Sequence, residues 1–232
     1  MNHVLRPLYL VFALPALLLA FYAQFKVRNA YERYSRVPNY RGLTGVDAAR
    51  RVLGPSGLGH IQIEGAPGEL SDHYDPRSKT LRLSPAVAQG RSVAALAITM
   101  HEIGHALQDA QGYAPLKLRG SLVPAITVSA WVAPLLFMVG WLMGSSSLAW
   151  VGVGGFALAA VFALVTLPVE FNASRRGLQL LQAYQLADGR ELSQAKEVLD
   201  AAALTYVAAL AQTLSTLLYY VFLLTGFGRR DE

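Results

Sequence analysis

The chain has 232 residues, of which 53% are hydrophobic and only 15% charged; soluble domains carry roughly one quarter charged residues, so an ordinary soluble protein is excluded. It has no cysteine, which rules out disulfides, thiolate metal ligands and thiol nucleophiles and leaves any metal to nitrogen and oxygen donors. The net charge of +5 does not point to nucleic acid, because the basic residues gather beside apolar runs (Lys26, Arg28, Arg33, Arg36; Lys117, Arg119; Arg175, Arg176; Arg229, Arg230), where they orient a membrane protein and meet anionic headgroups.

In chain order, Leu8 to Phe25 is the first apolar run. It exceeds the core of a usual signal peptide, and no small-x-small cleavage pattern precedes Gln24, so residues 1–25 are read as an uncleaved transmembrane anchor. Residues 26–121 have mixed composition and form the one stretch large enough to fold as a domain outside the bilayer. Within it, Thr44 to Gly54 predicts a short helix with Thr44 as N-cap, Asp47 in a capping-box position and Gly54 as its stop. His60 to Glu64 and Thr80 to Ser84 alternate apolar and polar residues as half-buried strands do, which predicts a short β-hairpin. The turn-rich segment between them contains Asp72, His73, Tyr74 and Asp75. His73 or Tyr74 could stabilise an oxyanion across a cleft, although a turn closed by aspartates before Pro76 accounts for the same letters. The strand Thr80 to Ser84 is a candidate edge for an extended peptide, or a plain structural hairpin. Ser92 then caps a helix running to about Ala110, ended by Gly112.

Residues 120–169 and 201–228 contain no Asp, Glu, Lys or Arg. A spanning helix needs about 20 apolar residues, so the first run holds two, at 122–143 and 148–169, joined by the turn Gly144 to Ser147. The second holds one more, at 204–226. Segment 122–170 is thus a transmembrane hairpin ending at Glu170. Residues 171–203 form a loop of two amphipathic helices, 172–187 and 191–203, around Asp188-Gly189, and 204–232 are the fourth span and tail. The fold class is a mainly α membrane protein with four transmembrane helices and a small α+β domain.

The chemistry lies in "ITMHEIGHALQ", Ile98 to Gln108. On a helix, residues four apart share a face, so His101 and His105 can reach one ion while Glu102 stands beside the water that ion would hold. This is the zincin arrangement, in which zinc lowers the water's pKa to about 7 and the glutamate acts as general base. Gly104 inside the helix costs about 1 kcal/mol relative to Ala and marks a close approach by another element. Catalytic zinc takes three protein ligands, and Glu170 is the leading candidate for the third, as the first charge where the third span leaves the bilayer. Two crossings separate it from the 26–121 domain, so both stand on the same side of the membrane. His60, His73 and Asp75 are the other donors within reach, and an interfacial carboxylate paired with Arg175 or Arg176 is the bland account of Glu170.

"DHYDPRSKTLRLSP", "MHEIGHALQ" and "LPVEFNASRRG", in that order, resemble the bacterial membrane zinc metallopeptidases of the YugP type over nearly the whole chain. The resemblance implies a gluzincin-like, zincin-like domain in which His101, His105 and Glu170 bind Zn2+ and Glu102 is the catalytic base. Relatives are expected to carry Asp where this chain has Asn172, so the partner of a ligand histidine is either Asn172 or, one turn beyond Glu170, Ser174.

The expected function is therefore a membrane-embedded, zinc-dependent endopeptidase acting on membrane or membrane-proximal proteins. The alternative from another class is a zinc-binding membrane scaffold or adaptor with little catalysis, which would be free to lose Glu102. The expected partners are the lipid bilayer and protein or peptide substrates, with membrane-protein partners or a homo-oligomer left open and nucleic acid not expected. The positive charge near span ends places the site on the cytoplasmic side of the bacterial cytoplasmic (inner) membrane.

Overall fold

A computed structural model describes residues 2–227, with side chains for residues 9–226. The basic residues Arg229 and Arg230 lie outside the described residues. Seven helices and three strands follow one another among the described residues: α1 (Asn2–Ser35), α2 (Gly45–Leu53), β1 (Gln62–Gly65), β2 (His73–Asp75), β3 (Thr80–Leu83), α3 (Pro85–Ala88), α4 (Val93–Ala110), α5 (Ala114–Leu142), α6 (Ser146–Ala183) and α7 (Gly189–Phe227). The elements fall into two compact units, which makes this a mainly α protein with a small α+β region.

The first unit is assembled from the chain up to Ala23, Leu118–Leu167 and the chain from Thr205 onward. Parts of α1, α5, α6 and α7 build it, and each of these helices is long and apolar enough to cross a membrane. Its outward side chains are those that lipid solvates, among them Trp131, Leu142 and Val151. Within it, Ser215 donates from its hydroxyl to the carbonyl of Phe12, and Phe137, Phe156 and Tyr220 pack ring against ring.

The second unit joins Gln24–Lys117 to Pro168–Leu204. Thr44 and Asp47 form the expected capping box at the start of α2: the Thr44 hydroxyl accepts from Asp47 N at 3.1 Å and Asp47 Oδ2 accepts from Thr44 N at 3.3 Å. Ser92 caps α4, accepting from Ala95 N at 3.2 Å, and the chain leaves that helix through Gly112 at φ +66°, a conformation glycine adopts without strain. The core is aliphatic, with Leu81 and Leu83 of the sheet, Leu96, Met100 and Ile103 of α4 and Leu181 of α6 fully buried.

The sheet differs from the predicted hairpin. Its order is β1-β3-β2, with β1 parallel and β2 antiparallel to β3. The hairpin is β2–β3, turning through residues 76–79, where Asp75 accepts from Arg77 N and the Ser78 hydroxyl and Lys79 takes φ +51°. Three residues around one buried tyrosine are too few for a period-2 pattern to register, so β2 reads as a loop until β3 pairs with it. Thr80 to Ser84 is consequently the central strand, and β2, not β3, is the free edge beside α4.

Helix boundaries also differ. The segments 148–169 and 172–183 belong to the single helix α6, which stops four residues before the expected end at 187, and 191–203 and 204–226 belong to the single helix α7. Asn172, Ser174 and Gly177 in "EFNASRRG" are residue types that cap or stop helices, but α6 runs through all three; the change from apolar to charged residues alters the surroundings of the backbone and leaves its conformation as it was.

Candidate metal centre

His101 and His105 stand one turn apart on α4, and Glu170 comes from α6. The Nε2 atoms of the two histidines lie 3.3 and 3.5 Å from Glu170 Oε2, and one donor atom from each of the three residues falls within a span of 4.8 Å. Small residues let the helices approach. A Cβ on Gly104 would lie 2.4 Å from the carbonyl oxygen of Ala173, and one on Gly177 would lie 3.0 Å from His101 N. The glycine expected to mark a close approach does so, and its neighbour is the helix that carries Glu170.

Each imidazole is held from behind. His101 Nδ1 is 3.1 Å from Ser174 Oγ and His105 Nδ1 is 3.0 Å from Gln108 Oε1, which turns both Nε2 atoms toward Glu170. Gln108 has no exposed surface, and its Nε2 donates to the Val169 carbonyl at 2.8 Å and to Asn172 Oδ1 at 3.0 Å. Asn172 Oδ1 also accepts from Arg176 Nε at 2.7 Å. Asn172 therefore meets Gln108 rather than a histidine, whereas Ser174 meets His101 directly.

Glu102 is 8% exposed, and its Oε2 accepts from the backbone N–H of Tyr74 at 3.0 Å. Burial raises the pKa of its carboxyl group, the two imidazoles beside it oppose that shift and Glu170 adds to it. Burial disfavours a charged His105, but Glu170 and Glu102 outweigh it and its pKa is raised.

These residues fit zinc. Donors about 2.0–2.1 Å from one tetrahedral ion stand about 3.4 Å apart; the separations from Glu170 Oε2 are 3.3 and 3.5 Å, and the whole set lies within 4.8 Å. Two imidazole nitrogens and one carboxylate oxygen are a known catalytic zinc set. A carboxylate as buried as Glu170, 2% exposed, also needs compensating positive charge, which a divalent cation at the Nε2 side supplies.

The remaining sequence candidates stand elsewhere. Tyr74 presents its backbone N–H to Glu102, while its phenol donates to Asp109 Oδ2 at 2.7 Å, a carboxylate also held by Lys79 Nζ at 2.6 Å; burial, then Asp109, raises the phenol's pKa. His73 is the strand neighbour of Tyr74, so its side chain leaves the opposite face of the sheet, and its ring Nδ1 meets the Ser71 carbonyl at 2.8 Å. Asp75 pairs with Arg82 at 3.1 Å, and His60 is exposed ahead of β1. None of these three joins the His101, His105 and Glu170 group among the described residues. Sequence reasoning missed Gln108 and Asp109. Gln108 was legible in principle, because it lies three residues after His105 and so on the same helix face.

Among known proteins, the chain is 44% identical over 226 residues to the "Putative membrane protease YugP" of Bacillus subtilis (strain 168), covering 97% of this chain and 99% of the relative. No solved structure matches it. A family model described as "Putative neutral zinc metallopeptidase" matches residues 9–225, and its metal agrees with the donor set that α4 and α6 bring together. The chain belongs to that neutral zinc metallopeptidase family.

Proposed function

We propose that the protein is a membrane-embedded endopeptidase that hydrolyses peptide bonds of membrane or membrane-proximal proteins, with His101, His105 and Glu170 holding zinc and Glu102 as general base. The observation that carries this reading is the convergence of the three donors beside a buried carboxylate that is itself held in place. Zinc held there would lower the pKa of a bound water to about 7 and polarise the scissile carbonyl. Glu102 would take a proton from the attacking water and give it to the leaving amine nitrogen. The Tyr74 N–H bonds Oε2 and so fixes the orientation of the carboxylate. Burial raises the pKa of this carboxyl group, which makes it the stronger proton acceptor.

The bond between Tyr74 N–H and Glu102 favours catalysis over a zinc-binding scaffold, because holding an ion requires no such bond.

Glu102→Gln is expected to lower hydrolysis by at least about 10²–10⁴-fold, the usual contribution of general-base catalysis, with zinc still bound. Glu170→Ala is expected to lose the zinc from a folded protein. Metal analysis and peptide cleavage on both variants check this: near-wild-type cleavage by Glu102→Gln removes the base, and stoichiometric zinc in folded Glu170→Ala removes the third ligand.

A further inference from the structure

We propose that Gln108 is the positioning residue of the metal centre: one buried amide that fixes the ring of His105 and at the same time ties α4 to the turn of α6 carrying Glu170. The proposal rests on His105 and Glu170 being zinc ligands.

A buried primary amide has an acceptor and two donor hydrogens to satisfy, and every contact of Gln108 serves the centre. Its Oε1 lies 3.0 Å from His105 Nδ1, so the imidazole donates Nδ1–H to it and keeps the Nε2 lone pair for the metal side. Its Nε2 donates at 2.8 Å to the carbonyl of Val169, the residue before Glu170, and at 3.0 Å to Asn172 Oδ1, two residues after it. The amide thus brackets Glu170 along the chain. Its orientation is not free either. Arg176 Nε donates to Asn172 Oδ1 at 2.7 Å, which fixes that oxygen as an acceptor and therefore requires the NH2 end of Gln108 to face it. A flipped Gln108 would turn NH2 toward His105 and oxygen toward two acceptors, losing all three bonds. Arg176 reaches Gln111 Oε1 at 2.7 Å through Nη1, and the chain Arg176–Asn172–Gln108–His105 runs from a half-buried cation to the centre.

His101 has a different arrangement. Its partner is a single hydroxyl, Ser174 Oγ at 3.1 Å, which comes from α6 itself. Gln108 alone of the two partners belongs to the helix that carries the histidines and reaches across to the other.

The test is zinc affinity, by competition with a chelator, of purified wild type, Gln108→Met and Gln108→Glu. Methionine keeps the length and volume but offers no hydrogen bond, and glutamate restores the acceptor toward His105 without the donor toward Val169 and Asn172. Partners that hold a ligand histidine from behind are worth about 10–100-fold in metal affinity, so Gln108→Met is expected to bind zinc 10–100-fold more weakly, and Gln108→Glu, whose second oxygen faces the Val169 carbonyl and Asn172 Oδ1 in place of a donor, to recover no more than part of that loss. Zinc binding by Gln108→Met at the wild-type level overturns the proposal, and so does wild-type binding by Gln108→Glu, which would make the donor bonds to Val169 and Asn172 dispensable. Should neither variant fold, histidine 15N spectra of the zinc-loaded wild type decide: His105 protonated at Nδ1 and metallated at Nε2 is expected, and metallation at Nδ1 overturns it. Wild type that binds no zinc, or a Glu170→Ala variant that keeps it, would instead remove the reading of the centre on which the proposal stands.

Discussion

At the scale of single residues, the centre is held by neutral oxygens where a carboxylate would also serve. His101 leans on the Ser174 hydroxyl and His105 on the Gln108 amide, so neither Nδ1 faces a carboxylate. Ser174→Ala removes the acceptor from His101 Nδ1 without adding bulk. It is expected to weaken zinc about tenfold, the low end of what such partners contribute, because the loss is one neutral hydrogen bond. Chelator competition measures it, and an unchanged affinity would show that packing alone orients His101. Glu102 is legible as a base from its place in the motif, but the donor that holds it is a backbone N–H of β2, which carries no letter of its own in the sequence.

At the scale of elements, the centre depends on how closely α4 and α6 cross. A Cβ at position 104 would sit 2.4 Å from a backbone carbonyl of α6, so Gly104→Ala cannot be absorbed by a side-chain rotation. Either helix must shift, and overpacking of this kind costs about 1–3 kcal/mol, set against about 1 kcal/mol gained in helix propensity. The variant is expected to lose thermal stability and, because the displaced helix carries Glu170, to lose zinc affinity as well. Thermal unfolding of metal-free protein and zinc titration separate the two effects. Equal stability together with equal affinity would mean the crossing is looser than the distances imply. The capping box of α2 and the Ser92 cap of α4 were readable in advance because a cap is a local contract among four residues.

At the scale of the whole molecule, the even number of spans between residues 26–121 and 171–203 requires both to lie on one side of the membrane, and Gln24–Lys117 and Pro168–Leu204 do form one compact unit. That side is expected to be cytoplasmic. It carries Lys26, Arg28, Arg33, Arg36, Lys117, Arg119, Arg175 and Arg176, against Arg6, Arg229 and Arg230 on the other, and lysines and arginines within about 15–20 residues of a span set orientation. Reporter fusions in the Asp188-Gly189 turn and after Glu232 are expected to report opposite sides, the first cytoplasmic. A C-terminal fusion active only in the cytoplasm would invert the orientation, and two fusions on the same side would overturn the four-span topology.

The sequence by itself determined the membrane class, the two histidines and glutamate on one helical turn, the helix caps, and a carboxylate at the end of the third span. Each of these is a matter of composition or of spacing along one element, and both survive in a linear string. Only the tertiary structure decided that Thr80 to Ser84 is a central strand with β2 as the free edge, that Tyr74 serves through its backbone while its phenol goes to Asp109, that His73 leaves the other face of the sheet, and that Gln108 and Ser174 divide the two histidines between them. Those outcomes depend on pairing and on contacts between residues up to 73 positions apart, and no local period encodes which partner a buried polar group will find.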